Sequence, residues 1–248
     1  MRTSHRRRLN RERTLRFLEE LGASPEAGVS LYLPAGMPEE EAQNALNEAV
    51  ATAQIASYLG SLACPSRTGA VLFWGTDCKI LVLPPFPLGE KFLLSGYNVD
   101  PLQHLLEQEL TIGLVLLRLG EYAIGIFRGE HLLTSKHGTG LVHSRHKKGG
   151  SSQGRFERHR EKQMESYFTR VCAHARNQLE PYETDIDYLV YGSERNTLLK
   201  FRRQCSYLKR FDSRTRDSLL DIRHPNRAAL KASIENIWSS EVIEFAET

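Results

Sequence analysis

Two hydrophobic rhythms alternate along the chain, one helical and one of period two. Residues 9–21 place apolar side chains at helical spacing and stop at Gly22, which predicts a short amphipathic helix. Residues 29–33 (Val-Ser-Leu-Tyr-Leu) alternate and end at Pro34, the pattern of a strand. Residues 39–62, rich in Ala, Glu, Gln and Leu, predict one long helix ending near Cys64-Pro65. A β-rich block follows, with strands over 69–74, 79–83 and 91–94, the last two separated by Pro84-Pro85-Phe86-Pro87. Residues 100–109 predict a helix with Pro101 in its first turn. The first unit, residues 1–110, therefore reads as an α+β domain.

The rhythm changes after residue 110. Strands are predicted over 112–118, 122–128 and 131–136, joined by tight turns at Leu119-Gly120-Glu121 and Gly129-Glu130. A loop of glycine and basic residues spans 138–154, and a long helix over 155–179 stops at Glu180-Pro181. A short buried strand over 188–191, a helix over 193–204 capped by Ser193, a strand over 207–211 and helices over 213–221 and 227–245 complete the reading. Strands followed by helices that return to the sheet predict an α/β domain over 111–248, a mixed sheet with helices packed on it.

Composition confirms a globular chain: of 248 residues, 40% are hydrophobic and 25% charged, which excludes disorder as the main state. No apolar run approaches the ~20 residues of a membrane span, because Arg118 breaks the best one. The arginine-rich N-terminus has no apolar stretch of the kind a secretory signal needs, and Glu12, Glu19 and Glu20 speak against an organelle presequence. Cys64, Cys78, Cys172 and Cys205 form no C-x-x-C pair, so we expect no disulfide framework, buried thiols at Cys172 and Cys205, and a soluble cytoplasmic protein in a reducing compartment.

Charge is informative once divided. Residues 1–16 hold seven arginines against one glutamate, residues 143–162 hold seven cations against two glutamates, and the chain total is only +3. Two basic blocks on an otherwise acidic chain are the signature of a localised polyanion contact. The run from Arg2 to Arg8 fits either a grip on RNA or a solvated tail.

The second block contains the chemistry. In His143-Ser-Arg-His-Lys-Lys-Gly-Gly-Ser-Ser-Gln-Gly-Arg-Phe156, the glycines Gly149, Gly150 and Gly154 let backbone amides approach a ligand without a Cβ in the way. Ser151, Ser152 and Gln153 add neutral hydrogen-bonding groups. The loop empties into a helix N-terminus, which favours anions. Arg145, Lys147 and Lys148 on one side, with Arg155, Arg158, Arg160 and Lys162 on the other, form a phosphate-binding surround.

The succession of strand block, Gly-Gly-Ser-Ser-Gln loop, Arg155-Phe156, basic helix and Tyr188-Leu-Val-Tyr-Gly192 resembles the middle domain of eukaryotic and archaeal class 1 peptide release factors. It resembles still more the release-factor-like domain of the ribosome-quality-control peptidyl-tRNA hydrolases (the Vms/ANKZF group) and their bacterial relatives. Residues 29–34, the segment 69–75 and Pro85-Phe86 resemble the release factors' N-terminal domain more faintly. The resemblance implies an RNase-H-like mixed sheet for the second unit. It also implies peptidyl-tRNA ester hydrolysis in the peptidyl-transferase centre of the large ribosomal subunit, with peptidyl-tRNA and ribosomal RNA as partners and no cofactor, metal, membrane or DNA.

By residue, the resemblance implies that Gly149 and Gly150 are the family's glycines and Gln153 its glutamine. Registering on Arg155-Phe156 without a gap would put Ser151 at that position instead, because Ser151 and Ser152 intervene; the quality-control group tolerates a serine before the glutamine, and Gln153 is the expected residue. Residues 49–62 contain no Asn-Ile-Lys-Ser stop-codon motif, and no C-terminal domain of the kind that recruits a translational GTPase is expected after residue 248, so rescue of stalled ribosomes is expected rather than codon-dependent termination.

Four rival readings stand beside this one. A two-metal nuclease needs clustered carboxylates, and residues 112–118 contain none while Asp185 and Asp187 stand at the edge of a later strand. A zinc site from His137, His143 and His146 lacks a cysteine partner, and a serine hydrolase lacks its G-x-S-x-G elbow. A ribosome- or tRNA-binding rescue factor without catalysis is the alternative of a different class.

Overall fold

The computed structural model describes residues 2–24, 27–50, 52–76, 78–142, 153–216 and 219–246. It divides into two compact units, residues 1–108 with 235–248, and residues 109–234.

The first unit is built on an antiparallel six-stranded sheet in the order β1-β10-β4-β3-β2-β5. Its strands are β1 (Arg2–Leu9), β2 (Gly28–Leu33), β3 (Ala70–Gly75), β4 (Lys79–Leu83), β5 (Phe92–Ser95) and β10 (Ser240–Ala246). Successive residues of a strand point to opposite faces, and here both faces are apolar. Tyr32, Val71, Phe73, Val82 and Val242 pack under α1 (Arg11–Gly22) and α4 (Asp100–Glu107). Leu31, Leu33, Leu72, Leu81 and Ile243 pack under α2 (Glu39–Ala49) and α3 (Ala53–Ala63). The result is a helix–sheet–helix sandwich. Gly69 enters β3 at φ +82°, and a Cβ there would lie 2.2 Å from the Leu33 carbonyl oxygen, so this position admits glycine alone.

The expected helix over 39–62 is two helices. Thr52 caps the second, its hydroxyl accepting from the Ile55 N–H at 3.4 Å. The expected helix over 227–245 is α7 (Arg227–Ile237) followed by β10, so the C-terminal residues complete the first unit's sheet instead of the second unit. Residues 2–9, read as a grip or a tail, are the edge strand β1, antiparallel to β10. Arg6 pairs with Glu241 and Arg7 with Glu244, each a diagonal cross-strand pair, one on each face of the sheet. Arg11 lies over the Trp238 ring at 4.3 Å and donates to the Leu106 carbonyl at 2.6 Å. Much of the first basic block is thus consumed within the fold.

The second unit carries a four-stranded sheet in the order β8-β7-β6-β9. Its strands are β6 (Thr111–Arg118), β7 (Glu121–Arg128), β8 (His131–Thr139) and β9 (Tyr188–Ser193). The first three form antiparallel hairpins with two-residue turns, Gly120 and Gly129 taking the left-handed conformations these require. Strand β9 returns parallel to β6 after the long helix α5 (Gln153–Leu179). This is the mixed α/β arrangement expected of an RNase-H-like domain.

Beyond β9, the expected strand over 207–211 lies in a 3-10 helix (Ser206–Arg214), which also takes the first two residues of the helix expected over 213–221. Of the rest, Thr215 and Leu220 form isolated parallel bridges to β9, at Leu189 and Gly192. Helix α6 (Arg195–Gln204) is preceded by Glu194 as N-cap, not by Ser193, whose side chain is buried against the core. Cys172 of α5 and Cys205, at the end of α6, form a disulfide in place of the expected buried thiols. The two residues are brought together by packing of α5 on α6, which no local sequence spacing announces. Among the described residues, no helix is long and apolar enough to cross a membrane.

Candidate RNA-facing site

Helix α5 is 27 residues long, ~40 Å at 1.5 Å per residue. Its apolar stripe begins at Met164 and continues through Tyr167, Phe168, Val171, Ala175 and Leu179, all buried against the sheet or its neighbours. Tyr167 fixes the helix, donating its hydroxyl to the Arg118 carbonyl at 2.8 Å, and His174 stacks on Tyr122. Residues 154–163, by contrast, bury no side chain. Residues 154–163 of α5 therefore form a stretch ~15 Å long that sends no side chain into the core.

Along that stretch Arg155, Arg158, His159 and Lys162 recur at helical spacing and, with Phe156, line an open groove of about 520 Å³. Phe156 is 63% exposed, an apolar ring held in water at the start of a basic helix. A cationic stripe with one exposed aromatic ring offers phosphate contacts and a stacking surface together. Neither Phe156 nor His159 was among the expected contact residues; the signal for His159 was its spacing of four from Arg155 and three from Lys162, and Phe156 stands three residues before His159. Arg160 is not part of the groove, since it points about 140° around the helix from Arg155 at 100° per residue.

Arg145, Lys147, Lys148, Gly149, Gly150, Ser151 and Ser152 lie outside the described residues. Gln153 opens α5, and its side chain also lies outside the description. His143 and His146 do so too, and no metal-holding cluster of three or more His, Cys, Asp or Glu occurs among the described residues.

The carboxylates nearest the sheet have structural duties. Asp187 accepts the Thr111 N–H at 2.7 Å and donates its own N–H to the Thr111 carbonyl at 2.9 Å, which locks β9 beside β6. Burial raises Tyr191 to about 12, so its phenol stays protonated in the central strand.

Residues 110–243 match the family model described as Actinobacteria/chloroflexi VLRF1 release factor. Peptide chain release factor subunit 1 of Aeropyrum pernix is 28% identical over 194 residues, covering 68% of this chain and 52% of that protein. The corresponding subunit of Archaeoglobus fulgidus is 29% identical over 117 residues, covering 47% of this chain and 29% of its own. The chain spans about half, or less, of the length of these curated relatives. Among solved structures, archaeal translation termination factor aRF1 aligns over 93% of this chain and 73% of its own at 19% identity and a TM-score of 0.41. Archaeoglobus fulgidus Pelota aligns over 95% of this chain and 65% of its own at 11% identity and a TM-score of 0.33.

Proposed function

The chain belongs to the Actinobacteria/chloroflexi VLRF1 release factor family, and on that basis we propose that it is a codon-independent peptidyl-tRNA hydrolase that frees nascent chains from stalled ribosomes or large subunits. The observation that carries this reading is the exposed, cation-striped first stretch of α5 with the Gly149-Gly150-Ser-Ser-Gln153 segment directly before it. An ester buried in RNA is reached only by a narrow probe, and its phosphates are met only by cations. This stretch supplies both. The remaining cations, Arg145, Lys147 and Lys148, extend the same phosphate surround on the loop side.

The reaction adds water across the ester that joins peptide to terminal adenosine, giving a free carboxylate on the peptide and a free hydroxyl on the tRNA. A glutamine carboxamide does not take up a proton near neutral pH, so Gln153 acts by position. Its side chain holds the attacking water, and its backbone N–H stabilises the oxyanion of the tetrahedral intermediate. The proton released by the water passes to groups of the RNA. Gly149 and Gly150 let the backbone approach the terminal nucleotide, and Ser151 and Ser152 add hydroxyls beside it. Codon independence is supported by residues 49–62, which contain no Asn-Ile-Lys-Ser motif.

A second reading, a rescue factor that binds without catalysis, is favoured by one feature: the two serines that separate the glycines from Gln153. Release of a labelled peptide from peptidyl-tRNA on purified large subunits decides between them. Gln153→Ala keeps the backbone N–H but removes the side chain that holds the water, and is expected to lower release about 100-fold, the loss typical of a misplaced reactant, while subunit binding persists. Unchanged release by Gln153→Ala would overturn the role of Gln153. Absence of release by the wild-type chain, with binding intact, would establish the binding factor.

A further inference from the structure

A third basic segment lies between residues 195 and 210, where six cations occur without a single carboxylate: Arg195, Lys200, Arg202, Arg203, Lys209 and Arg210. The fold sorts them into two groups. Arg202 pairs with Asp212 at 2.6 Å and lies over the Tyr191 ring, and Arg210 pairs with Glu183 at 2.9 Å. Arg195, Lys200, Arg203 and Lys209 are exposed and make no ion pair or side-chain hydrogen bond among the described residues.

On α6 the distribution is one-sided. Thr197, Phe201 and the following Cys205 face the core, while Arg195, Leu199, Lys200 and Arg203 span an arc of about 140° on the opposite side. A helix face that serves only to be solvated mixes signs and gains from i, i+4 carboxylate partners. This one keeps Lys200 and Arg203, neighbours at i, i+3, in mutual repulsion, with the half-exposed Leu199 between the cations.

We propose that this outward face of α6 seats the acceptor stem of the tRNA whose 3′ end enters the glycine-rich loop, an inference that rests on the peptidyl-tRNA reading above. Three observations set the occupant. The face displays no aromatic ring, so it lacks the stacking platform that single-stranded RNA requires and suits the phosphates of a duplex. Arg195 and Arg203 stand eight residues apart, ~12 Å along the helix, a span that engages successive phosphates. The face is also set back from the start of α5 by a fixed interval. The Gln204 amide donates to the Glu165 carbonyl and to the Thr169 hydroxyl, each at 2.7 Å, and the Cys172–Cys205 disulfide locks the same junction. That junction lies sixteen residues along α5 from Gln153, ~24 Å. A tRNA stem is likewise set back from its ester by the single-stranded 3′ end. One rigid helix pair thus offers a contact for the end and a contact for the stem.

The test uses the full chain and a fluorescent deacylated tRNA, with the dissociation constant measured between 50 and 200 mM salt. The triple reversal Arg195→Glu, Lys200→Glu, Arg203→Glu is expected to weaken binding tenfold or more. It should also lower the slope of log affinity against log salt by about two to three, near 0.9 per lost phosphate contact. Should the reversal perturb folding, seen as a lowered melting temperature, the triple glutamine variant repeats the measurement with the helix intact and is expected to show a smaller loss in the same direction. Wild-type affinity and slope in the glutamine variant would overturn the proposal. So would equal competition by a DNA duplex of the stem's length, or loss of binding to large subunits with free tRNA binding intact, which would assign the face to ribosomal RNA. The peptidyl-tRNA hydrolase reading fails separately, through absence of peptide release by the wild-type chain on large subunits, and that result leaves the tRNA affinities untouched.

Discussion

Trp238→Ala tests the assignment of the C-terminal residues to the first unit. Trp238 is fully buried and sits edge-on to Phe86 with ring centroids 4.6 Å apart, while the Arg11 guanidinium covers its face. Truncating a buried tryptophan costs about 3–5 kcal/mol in transfer and cavity terms, and loss of a desolvated cation–π contact adds about 1 kcal/mol. A loss of about 4–6 kcal/mol is a large share of the ~5–15 kcal/mol that stabilises a domain. A unit of this size unfolds with an entropy of ~2.1 cal/mol/K per residue, so each kcal/mol moves its melting temperature by about 4 °C and the expected fall is about 15–25 °C. The chain has two tryptophans, so in this variant Trp74 of β3 alone reports on the first unit's sheet. Fluorescence-detected unfolding in denaturant and heat should show the loss directly. An unchanged Trp74 midpoint would refute the reasoning, because it would mean that residues 238–246 do not hold that sheet together.

Three further outcomes follow from named contacts. The Cys172–Cys205 disulfide closes a loop with a sequence separation of 33, worth about 3–4 kcal/mol in the chain-entropy model; protein purified without reductant should titrate two thiols, Cys64 and Cys78, and melt about 10 °C lower once reduced, whereas four thiols would contradict the link. Gly69→Ala should destabilise the first unit by more than about 2 kcal/mol, since it adds a left-handed penalty to the clash with the Leu33 carbonyl; a denaturation midpoint equal to wild type would show that the β2–β3 entry is not fixed as described. Burial against Tyr122, reinforced by Lys136 and Arg170, lowers His174 below its ordinary value. The unfolded chain then takes up the proton first, so this contribution to stability is present above about pH 6.5 and is lost as pH falls through that value toward the folded one. Ring NMR titration that places His174 at or above 6.5 would reverse the sign.

The parts of the fold that were legible in the sequence are those whose partners are close along the chain. The hairpins β6–β7 and β7–β8 follow from alternation with glycine turns, and the buried half of α5 follows from its stripe at 164, 167, 168, 171 and 175. What was missed depends on distant partners. In β10, Val242 faces one core layer and Ile243 the other, so its apolar residues do not alternate with polar ones, and after the Ala-rich α7 they read as more helix. Four cations within seven residues read as water-loving until Glu241 and Glu244, more than 230 residues away, are laid beside Arg6 and Arg7. The disulfide is hidden for the same reason.

The candidate site divides along the same physical line. Glycines, serines and a glutamine name a chemistry without any partner, so the loop was legible as a motif; the exposed stretch that carries it became evident only once Met164 was seen to be the first side chain of α5 to reach the core. The α6 face was missed for the opposite reason. The six cations of residues 195–210 stand in plain sight, but charge counting alone cannot separate Arg202 and Arg210, spent on Asp212 and Glu183, from the four exposed ones, three of which lie on α6. Charge in a sequence counts potential contacts, whereas burial and pairing decide which remain for a partner. By that criterion the N-terminal block, rich as it is, yields fewer outward cations than its seven arginines suggest, since Arg6, Arg7, Arg11 and Arg16 are held by Glu241, Glu244, Trp238 and Glu12. Among the described residues, the second unit keeps Arg155, Arg158 and Lys162 exposed on α5 and Arg195, Lys200 and Arg203 exposed on α6.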